Sequence, residues 1–231
     1  MNEIKEAVLF GLDNSEMDYS SLEKPLHKQA VADFKRLIAA AESAGFQLAI
    51  ASSYRDYDRQ LLIWNEKVQG IRPIFDEHDQ VVDVRSLSPW QLCQKILRFS
   101  ALPGASRHHW GTDLDVYDRH AIDESYEVQL STKEVMSGGV FCPFHDWLDK
   151  QITKSASFGF FRPYVNDCGG IAPERWHLSY GPLAIMFQRQ LTPQSLKKQI
   201  ALSEIALKET VLEHFDELYK RYVHVDESLY P

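Results

Sequence analysis

The stretch Ser106-Arg-His-His-Trp-Gly-Thr-Asp-Leu-Asp115 places imidazoles and carboxylates on either side of a glycine. Further along the chain, the stretch Pro173-Glu-Arg-Trp-His177 supplies one more carboxylate and one more imidazole. Neutral imidazoles and carboxylates are the usual protein ligands of catalytic zinc, which keeps a further position for water. We therefore expect the two stretches to close on one Zn²⁺ ion, with the rest of the chain holding them together.

Length and composition indicate one globular domain. The chain has 231 residues, of which 44% are hydrophobic and 25% charged, and this is enough to bury a full core. Its 33 acidic and 25 basic residues give a net charge of −8 without a marked basic run, which argues against nucleic acid or an anionic membrane surface as a partner. The three cysteines are far apart and odd in number, so we expect neither a disulfide framework nor a thiolate metal site.

The sequence carries no pattern of a membrane or export segment. No stretch approaches the roughly 20 apolar residues that a membrane-spanning helix needs. Residues 1–13 do not show a basic segment followed by an apolar run of about 7–15 residues, which is the pattern of a signal peptide. We therefore expect a cytoplasmic protein, or a periplasmic or cell-envelope protein if the start has been trimmed.

Hydrophobic spacing predicts an α+β fold, because helices and short strands occur without a regular βαβ rhythm. Helices are predicted at about 25–44, 56–68, 88–99, 141–152 and 183–189, and from about 193 or 201 to 222. Strands are predicted at 46–52, 112–117 and 176–180. Insertions are expected at 71–87, which we interpret as a hairpin, and at 118–140.

Two spacings decide whether the candidate ligands can converge. His108 and Asp115 lie seven residues apart, and Gly111 between them lets the chain turn, so that the strand carboxylate returns near the imidazole. Glu174 and His177 would face opposite sides of a flat strand. They converge only if Glu174 lies on the turn before the strand, which the preceding proline favours. By residue type alone, a structural role for each histidine stays open.

The order of these motifs resembles that of a known enzyme group. Ser106-x-His108-x-x-Gly111-x-x-x-Asp115, followed by Glu174-x-Trp176-His177, resembles the zinc D-alanyl-D-alanine carboxypeptidases of the VanY type and the related VanX dipeptidases. This peptidase M15 group shares its zinc fold with Hedgehog signalling domains and LAS peptidoglycan hydrolases. The segment Ser52-Ser-Tyr-Arg55 with Gln60, and the aromatic stretch 161–164, also resemble family segments in family order.

The resemblance implies a fold in which a small antiparallel sheet carries the zinc site and is flanked by helices. We expect a single domain, with a catalytic core at about 25–190 and a helical C-terminal extension at about 192–231. The extension serves either as a packing scaffold or as an interface through which the protein forms oligomers.

The resemblance also implies roles for five residues. His108, Asp115 and His177 would bind one Zn²⁺ ion. Glu174 would take a proton from the zinc-bound water and pass it to the leaving amine. Arg55 would polarise the scissile carbonyl and stabilise the oxyanion. Without the resemblance, a surface ion pair with a neighbouring aspartate is the simpler interpretation of this arginine.

Substrate-binding roles are predicted for Tyr54, Gln60, Ser106 and Asp113. Ser106 either contacts substrate or only caps the motif loop. Asp113 stands where the family usually has a small apolar residue. It is either an outer partner of a ligand histidine, a contact for the substrate amine, or a solvated carboxylate.

Two further positions depart from the family pattern or compete with it. Ser53 stands where the family commonly has glycine, which raises the question of how the turn before Arg55 is formed. His109 could replace His108 as a ligand by residue type, but the register of the motif favours His108.

The sequence therefore predicts a zinc metallopeptidase that removes a C-terminal D-amino acid from a peptidoglycan-type peptide, with D-Ala-D-Ala as the first candidate. A D,D-dipeptidase and a peptidoglycan endopeptidase are the alternatives within the class. A non-catalytic, zinc-containing binding module is the alternative from another class. The retention of both Glu174 and Arg55 argues against that module.

Overall fold

The two motif stretches provide the two central strands of one antiparallel sheet. The computed structural model describes residues 4–76 and 80–231. The strands are β1 Met17–Asp18, β2 Leu26–His27, β3 Leu48–Ser52, β4 Asp113–Asp118, β5 Phe160–Phe161 and β6 His177–Tyr180. Four of them form the main sheet in the order β3-β4-β6-β5, and β1 pairs separately with β2. The predicted α+β class with a small antiparallel sheet is confirmed.

Helices surround this sheet and make up most of the remaining regular structure. The α-helices are α1 Glu6–Leu9, α2 Val31–Ser43, α3 Tyr57–Val68, α4 Pro89–Leu97, α5 Thr132–Val135, α6 Cys142–Thr153, α7 Gly181–Gln190, α8 Pro193–Leu202, α9 Lys208–Glu213 and α10 Phe215–Tyr222. No helix within residues 4–76 and 80–231 is long and apolar enough to cross a membrane.

Local capping explains why two predicted helices begin where they do. The Asp56 side chain accepts a hydrogen bond from the Arg59 N–H and caps α3. Ser88 and Gln91 form a reciprocal capping box at α4, whose first residue is Pro89. Each of these two capping signals spans only four residues, so the sequence alone is enough to predict both helix starts.

The helix predicted from residue 25 begins only at Val31, and this part of the prediction was wrong. Leu26 and His27 instead form β2, and the His27 N–H donates to the Gly111 carbonyl oxygen at 2.8 Å. A contact with the distant motif therefore overrides the helical spacing. The end of the helix was predicted correctly, because Gly45 follows it with a φ of +89°.

The segment from 193 to 222 forms three helices instead of one. Ser203 takes an extended conformation after α8, and Leu207 takes a left-handed conformation with a φ of 62° before α9. Buried apolar side chains of all three helices join the main core; they include Leu196, Ile200, Val211, Phe215 and Leu218. Each such side chain contributes about 1.5–3 kcal/mol when fully buried, so the C-terminal helices pack as scaffold on the rest of the molecule.

The two predicted insertions contain more structure than a loop. Phe75 and Val81 form an antiparallel bridge, and the Val82 N–H donates to the Ile74 carbonyl oxygen at 2.8 Å, as the predicted hairpin requires. The tip of that hairpin, at 77–79, lies outside the described residues. The second insertion carries α5, which the sequence did not predict.

Candidate metal centre and active site

Strand register brings the second half of the site to the first. In the pairing of β4 with β6, Asp115 lies opposite His177. Strand β6 begins at His177, so Glu174 lies on the preceding turn, and the His177 N–H donates to the Glu174 carbonyl oxygen at 3.1 Å. The turn lets the Glu174 and His177 side chains lie on the same side of the strand, as the prediction from the sequence required.

Gly111 makes the turn that brings His108 beside β4. Its φ of +64° lies in the left-handed region that favours glycine. A Cβ atom there would also lie 3.0 Å from the backbone nitrogen of His27 and closer still to the Met17 side chain. The glycine is therefore required both for the backbone conformation and for the close approach of β1 and β2.

His108, Asp115 and His177 place three potential ligand atoms within 4.8 Å of one another, and all three residues are buried. His108 Nε2 lies 3.6 Å from Asp115 Oδ2, and His177 Nδ1 lies 3.3 Å from Asp115 Oδ1. Among the described residues, nothing donates a hydrogen bond to this buried Oδ1 atom. A buried carboxylate oxygen without a donor, facing two imidazoles, fits a bound cation.

Each imidazole is oriented by a partner on its far side. His108 Nδ1 donates to the Ser53 carbonyl oxygen at 2.8 Å, which leaves the Nε2 lone pair towards Asp115. His177 Nε2 donates to Asp113 Oδ1 at 2.9 Å, which leaves Nδ1 towards Asp115. Such outer contacts fix the tautomer and the ring orientation of metal-binding histidines.

The charge balance of the site also suits a cation. Burial lowers the pKa of His108 to about 4, so this imidazole is neutral. Burial alone would also lower the pKa of His177, but the neighbouring carboxylates of Asp113, Asp115 and Glu174 raise that pKa well above its ordinary value. Three carboxylates thus surround one imidazole. Arg107 pairs with Asp113, which leaves the Asp115 and Glu174 carboxylates beside His177 Nδ1, where a divalent metal ion could take the place of a proton.

Asp113 lies behind His177 and is fully buried, with 0% exposure. Its Oδ1 accepts from Arg107 Nε at 2.8 Å and its Oδ2 from the hydroxyls of Thr112 at 2.6 Å and Ser179 at 3.0 Å. The solvated alternative is therefore wrong. Asp113 has the position of an outer partner of the candidate ligand His177.

His109 points away from the cluster and is held by backbone. Its Nε2 accepts from the Gly104 N–H at 3.1 Å, and its Nδ1 donates to the Arg55 carbonyl oxygen at 2.7 Å. Both ring nitrogens are thus in use, so the competing ligand assignment has no support. The Arg55 N–H in turn donates to the His108 carbonyl oxygen at 3.1 Å, which joins the two segments on both sides.

The Arg55 guanidinium faces the cluster instead of a surface aspartate. Nη1 donates to Gln60 Oε1 at 2.7 Å and Nη2 to Ser52 Oγ at 3.2 Å. Burial lowers the pKa of Arg55, and the charges of Asp115 and Glu174 oppose that shift. Gln60 is itself fully buried and donates to the Ala101 carbonyl oxygen, so it holds the arginine in place.

Burial raises the pKa of Glu174, although its contact with His177 acts in the opposite direction. Glu174 Oε2 lies 3.4 Å from His177 Nδ1, next to the candidate ligands. The adjacent Arg175 fixes this turn, because its Nε donates to Asp149 at 3.0 Å and its Nη1 to the Val135 carbonyl oxygen at 2.7 Å. The sequence did not single out this arginine.

A cavity of about 540 Å³ opens onto the cluster. Its lining includes the predicted residues Arg55, Ser106, His108, Asp115, Glu174 and His177. It also includes Lys67 and Tyr164, to which the sequence assigned no role. Lys67 lies two helical turns after Gln60 on α3, and this spacing was the available signal.

The other predicted substrate contacts have different surroundings. Ser106 is 2% exposed and its side chain caps no backbone N–H of the following turn, so the loop-capping alternative lacks support. Tyr54 and Gln60 are not among the described residues that line the cavity.

Ser53 is not among the described non-glycine residues with positive φ, so the turn before Arg55 does not need the family's glycine.

Fold and motif order define the class of protein. The family model of the D-alanyl-D-alanine carboxypeptidase VanY matches residues 23–183, and the chain belongs to this family. Solved structures that share the fold include two VanY proteins. VanYB in complex with D-alanine-D-alanine has a TM-score of 0.52 and 20% identity, over 85% of this chain and 87% of that one. A variant of the vancomycin-resistance D,D-pentapeptidase VanY in complex with Zn(II) has a TM-score of 0.51 and 21% identity, over 85% and 89%.

Two curated relatives come from Haemophilus influenzae, and both are uncharacterized proteins. One is 48% identical over 77 residues, which are 33% of this chain and 53% of that protein. The other is 28% identical over 124 residues, which are 53% of this chain and 92% of that protein. The chain thus spans about half the length of the first relative.

Proposed function

We propose that this protein is a zinc-dependent carboxypeptidase that removes a C-terminal D-amino acid from peptidoglycan-type peptides, with D-Ala-D-Ala as the preferred chain end. One observation carries the proposal. In a chain of the VanY family, His108, Asp115 and His177 converge beside Glu174 and Arg55 in the lining of one cavity.

The two imidazoles and the Asp115 carboxylate would hold the ion, and the donor set of two nitrogens and an oxygen suits zinc. When bound there, zinc would act as a Lewis acid on the scissile carbonyl and lower the pKa of a bound water to about 7. The outer contacts to Ser53 and Asp113 keep both imidazoles ready to bind.

Glu174 is the proposed general base. Its carboxylate lies beside the ligand His177, where it can take a proton from the attacking water and return it to the leaving amine. Burial raises its pKa, and a shift in this direction suits a base that must also act as an acid.

Arg55 is the proposed oxyanion partner. Its charge and its planar donors suit an oxygen that becomes negative as the carbonyl is attacked. Gln60 and Ser52 already hold the guanidinium, so it needs little reorganisation when substrate binds. Each of these contacts uses the arginine in its charged form.

Lys67 and Ser106 are the proposed contacts of the substrate. Lys67 makes no ion pair or hydrogen bond with a described residue, although it lines the cavity, and its charge can pair with the carboxylate at the end of the peptide. The fold neighbour VanYB, which was solved with D-alanine-D-alanine, supports this class of ligand.

Hydrolysis and metal content test the proposal together. Purified protein should contain one zinc per chain and release D-Ala from peptides ending in D-Ala-D-Ala. Chelation should abolish the activity and added zinc should restore it. Glu174→Gln should keep the zinc and lose the activity. A panel that also includes the free dipeptide and L,D-peptides measures the preferred chain end. An absence of stoichiometric zinc, or an unchanged rate in Glu174→Gln, would contradict the proposal.

A further inference from the structure

Arg107 links the candidate metal centre to the C-terminal part of the chain. It is 3% exposed and uses all three nitrogens of its side chain. Nε donates to Asp113 at 2.8 Å, Nη2 to the Ser179 hydroxyl at 2.6 Å, and Nη1 to the Tyr230 hydroxyl at 2.8 Å. The family match ends at residue 183, so Tyr230 comes from a part of the chain outside that match.

The Tyr230 hydroxyl is held from a second direction. It donates to Gln188 Oε1 at 2.9 Å, and Arg107 Nη1 lies 3.4 Å from the same oxygen. Gln188 is in turn fixed by Val225, because the Val225 N–H donates to Oε1 at 3.2 Å and Nε2 donates to the Val225 carbonyl oxygen at 2.8 Å. The Tyr230 ring packs on Phe161 of β5, with ring centroids 4.5 Å apart.

Two further contacts dock the segment 225–231 on α7. Arg189 Nε and Nη2 donate to the two carboxylate oxygens of Glu227 at 3.0 and 2.7 Å. A Cβ atom at Gly181 would lie 2.5 Å from Pro231 Cδ, so Pro231 packs against a place that only glycine leaves open. The position of Tyr230 is therefore determined by contacts on both sides of it.

The contacts form one continuous chain towards the metal centre. Tyr230 and Gln188 hold Arg107, Arg107 holds Asp113, and Asp113 accepts the Nε2–H of His177 at 2.9 Å. Without the Tyr230 hydroxyl, Arg107 Nη1 would keep only the long contact to Gln188. The guanidinium would then be fixed mainly through Nε and Nη2, and the Asp113 carboxylate would lose part of its alignment with His177.

We propose that Tyr230, Gln188 and Arg107 are positioning residues of the metal centre, which fix the imidazole of His177 through Asp113. The inference rests on the proposed function, because it needs His177 to bind the metal. It assigns to the segment 225–231 a role in metal affinity beyond packing. Outer partners that contact a ligand directly change metal affinity by about 10–100-fold, and Arg107 and Tyr230, which lie one and two steps further out, should change it less.

The experiment compares two tyrosines of the C-terminal part of the chain. Tyr230→Phe removes the hydroxyl that contacts Arg107. Tyr219→Phe is the matched control, because its hydroxyl donates to the Leu191 carbonyl oxygen and has no contact with this network. The zinc dissociation constant of each full-length variant is measured by competition with a chromophoric chelator. The melting temperature of the metal-free protein is measured in parallel.

We expect Tyr230→Phe to weaken zinc binding about three- to tenfold and Tyr219→Phe to leave zinc binding unchanged. The two variants should lose a comparable amount of melting temperature. Equal zinc affinities of Tyr230→Phe and the unmodified protein, or equal weakening in both variants, would overturn the inference. If the unmodified protein itself binds no stoichiometric zinc, the proposed function fails, and the inference fails with it.

A double-mutant cycle tests whether Tyr230 acts through Asp113. In the background of Asp113→Asn, Tyr230→Phe should cause no further loss of zinc affinity. A full additive loss would show that Tyr230 acts by another route and would overturn the inference. If Asp113→Asn does not fold, the comparison of the two tyrosine variants decides alone.

Discussion

The two sides of the candidate metal centre hold their imidazoles in different ways. On one side, the ring of His108 donates to a backbone carbonyl oxygen, that of Ser53. On the other side, the ring of His177 donates to the carboxylate of Asp113, which Arg107 holds in turn. A backbone contact survives any side-chain substitution that keeps the local fold, whereas a buried charged network depends on each of its members. We therefore expect metal binding to respond mainly to substitutions on the His177 side.

The His108 side has a different task, because it also carries Arg55. The Arg55 N–H donates to the His108 carbonyl oxygen, and the Arg55 carbonyl oxygen accepts from His109. The segment that orients one proposed ligand therefore also orients the proposed oxyanion partner. Substitutions on this side should change catalysis more than metal affinity.

The largest effect that separates the two sides is expected for Arg55→Gln. Loss of one oxyanion donor typically lowers kcat by about 10²–10³-fold. Zinc affinity should stay within about threefold, because Arg55 donates to Gln60 and Ser52 and to neither imidazole. Steady-state kinetics and a zinc titration on the same preparation check both values. A loss of zinc that parallels the loss of kcat would contradict the division between the two sides.

On the His177 side, Asp113→Asn should weaken zinc binding by about 10–100-fold. The matched control is Asp33→Asn, which also changes a carboxylate that accepts a hydrogen bond, here from the Tyr180 hydroxyl at 2.7 Å. Competition with a chelator should show weaker zinc binding for the first variant alone. Equal zinc affinities in both variants would show that the charged network does not support His177.

The convergence of the candidate ligands could be predicted in part, because each motif has local determinants, whereas the choice of ligands came from the resemblance to the family. Gly111 sets a turn within the first motif, strand alternation sets the direction of Asp115, and the turn before β6 places Glu174. The same reasoning failed where a distant contact decides the structure. The helix α2 starts late because the His27 N–H donates to the Gly111 carbonyl oxygen, which lies far away in sequence.

The surroundings of Asp113 could not be predicted from the sequence, because they too depend on contacts between residues that are far apart in the chain. Its family position is usually small and apolar, so the resemblance gave no role for a carboxylate. Arg107 and Tyr230 meet across 123 residues of sequence, and no spacing rule connects them. Only the packing of the C-terminal helices on the core brings the tyrosine to the arginine.

A smaller effect is expected for Lys67→Met, which keeps much of the side chain and removes the charge. A charge-assisted hydrogen bond contributes about 1.5–3 kcal/mol, so KM for a peptide ending in D-Ala-D-Ala should rise about tenfold or more. The value of kcat should change little, since Lys67 is proposed to bind the chain end and not the reacting carbonyl. A peptide with an amidated end is the control. An equal rise of KM for that peptide would contradict the pairing of Lys67 with the carboxylate.

The smallest effect is expected for Ser53→Ala, which tests the backbone nature of the His108 side. The Ser53 carbonyl oxygen that accepts from His108 remains, so zinc affinity should stay within about twofold. The Ser53 hydroxyl is buried and has no hydrogen-bond partner among the described residues. Its removal should leave the free energy of unfolding unchanged or raise it by about 1 kcal/mol, because an unpaired buried hydroxyl is unfavourable. Chemical denaturation and the chelator competition measure the two quantities. A marked loss of zinc affinity in Ser53→Ala would show that a side chain, and not the backbone alone, orients His108.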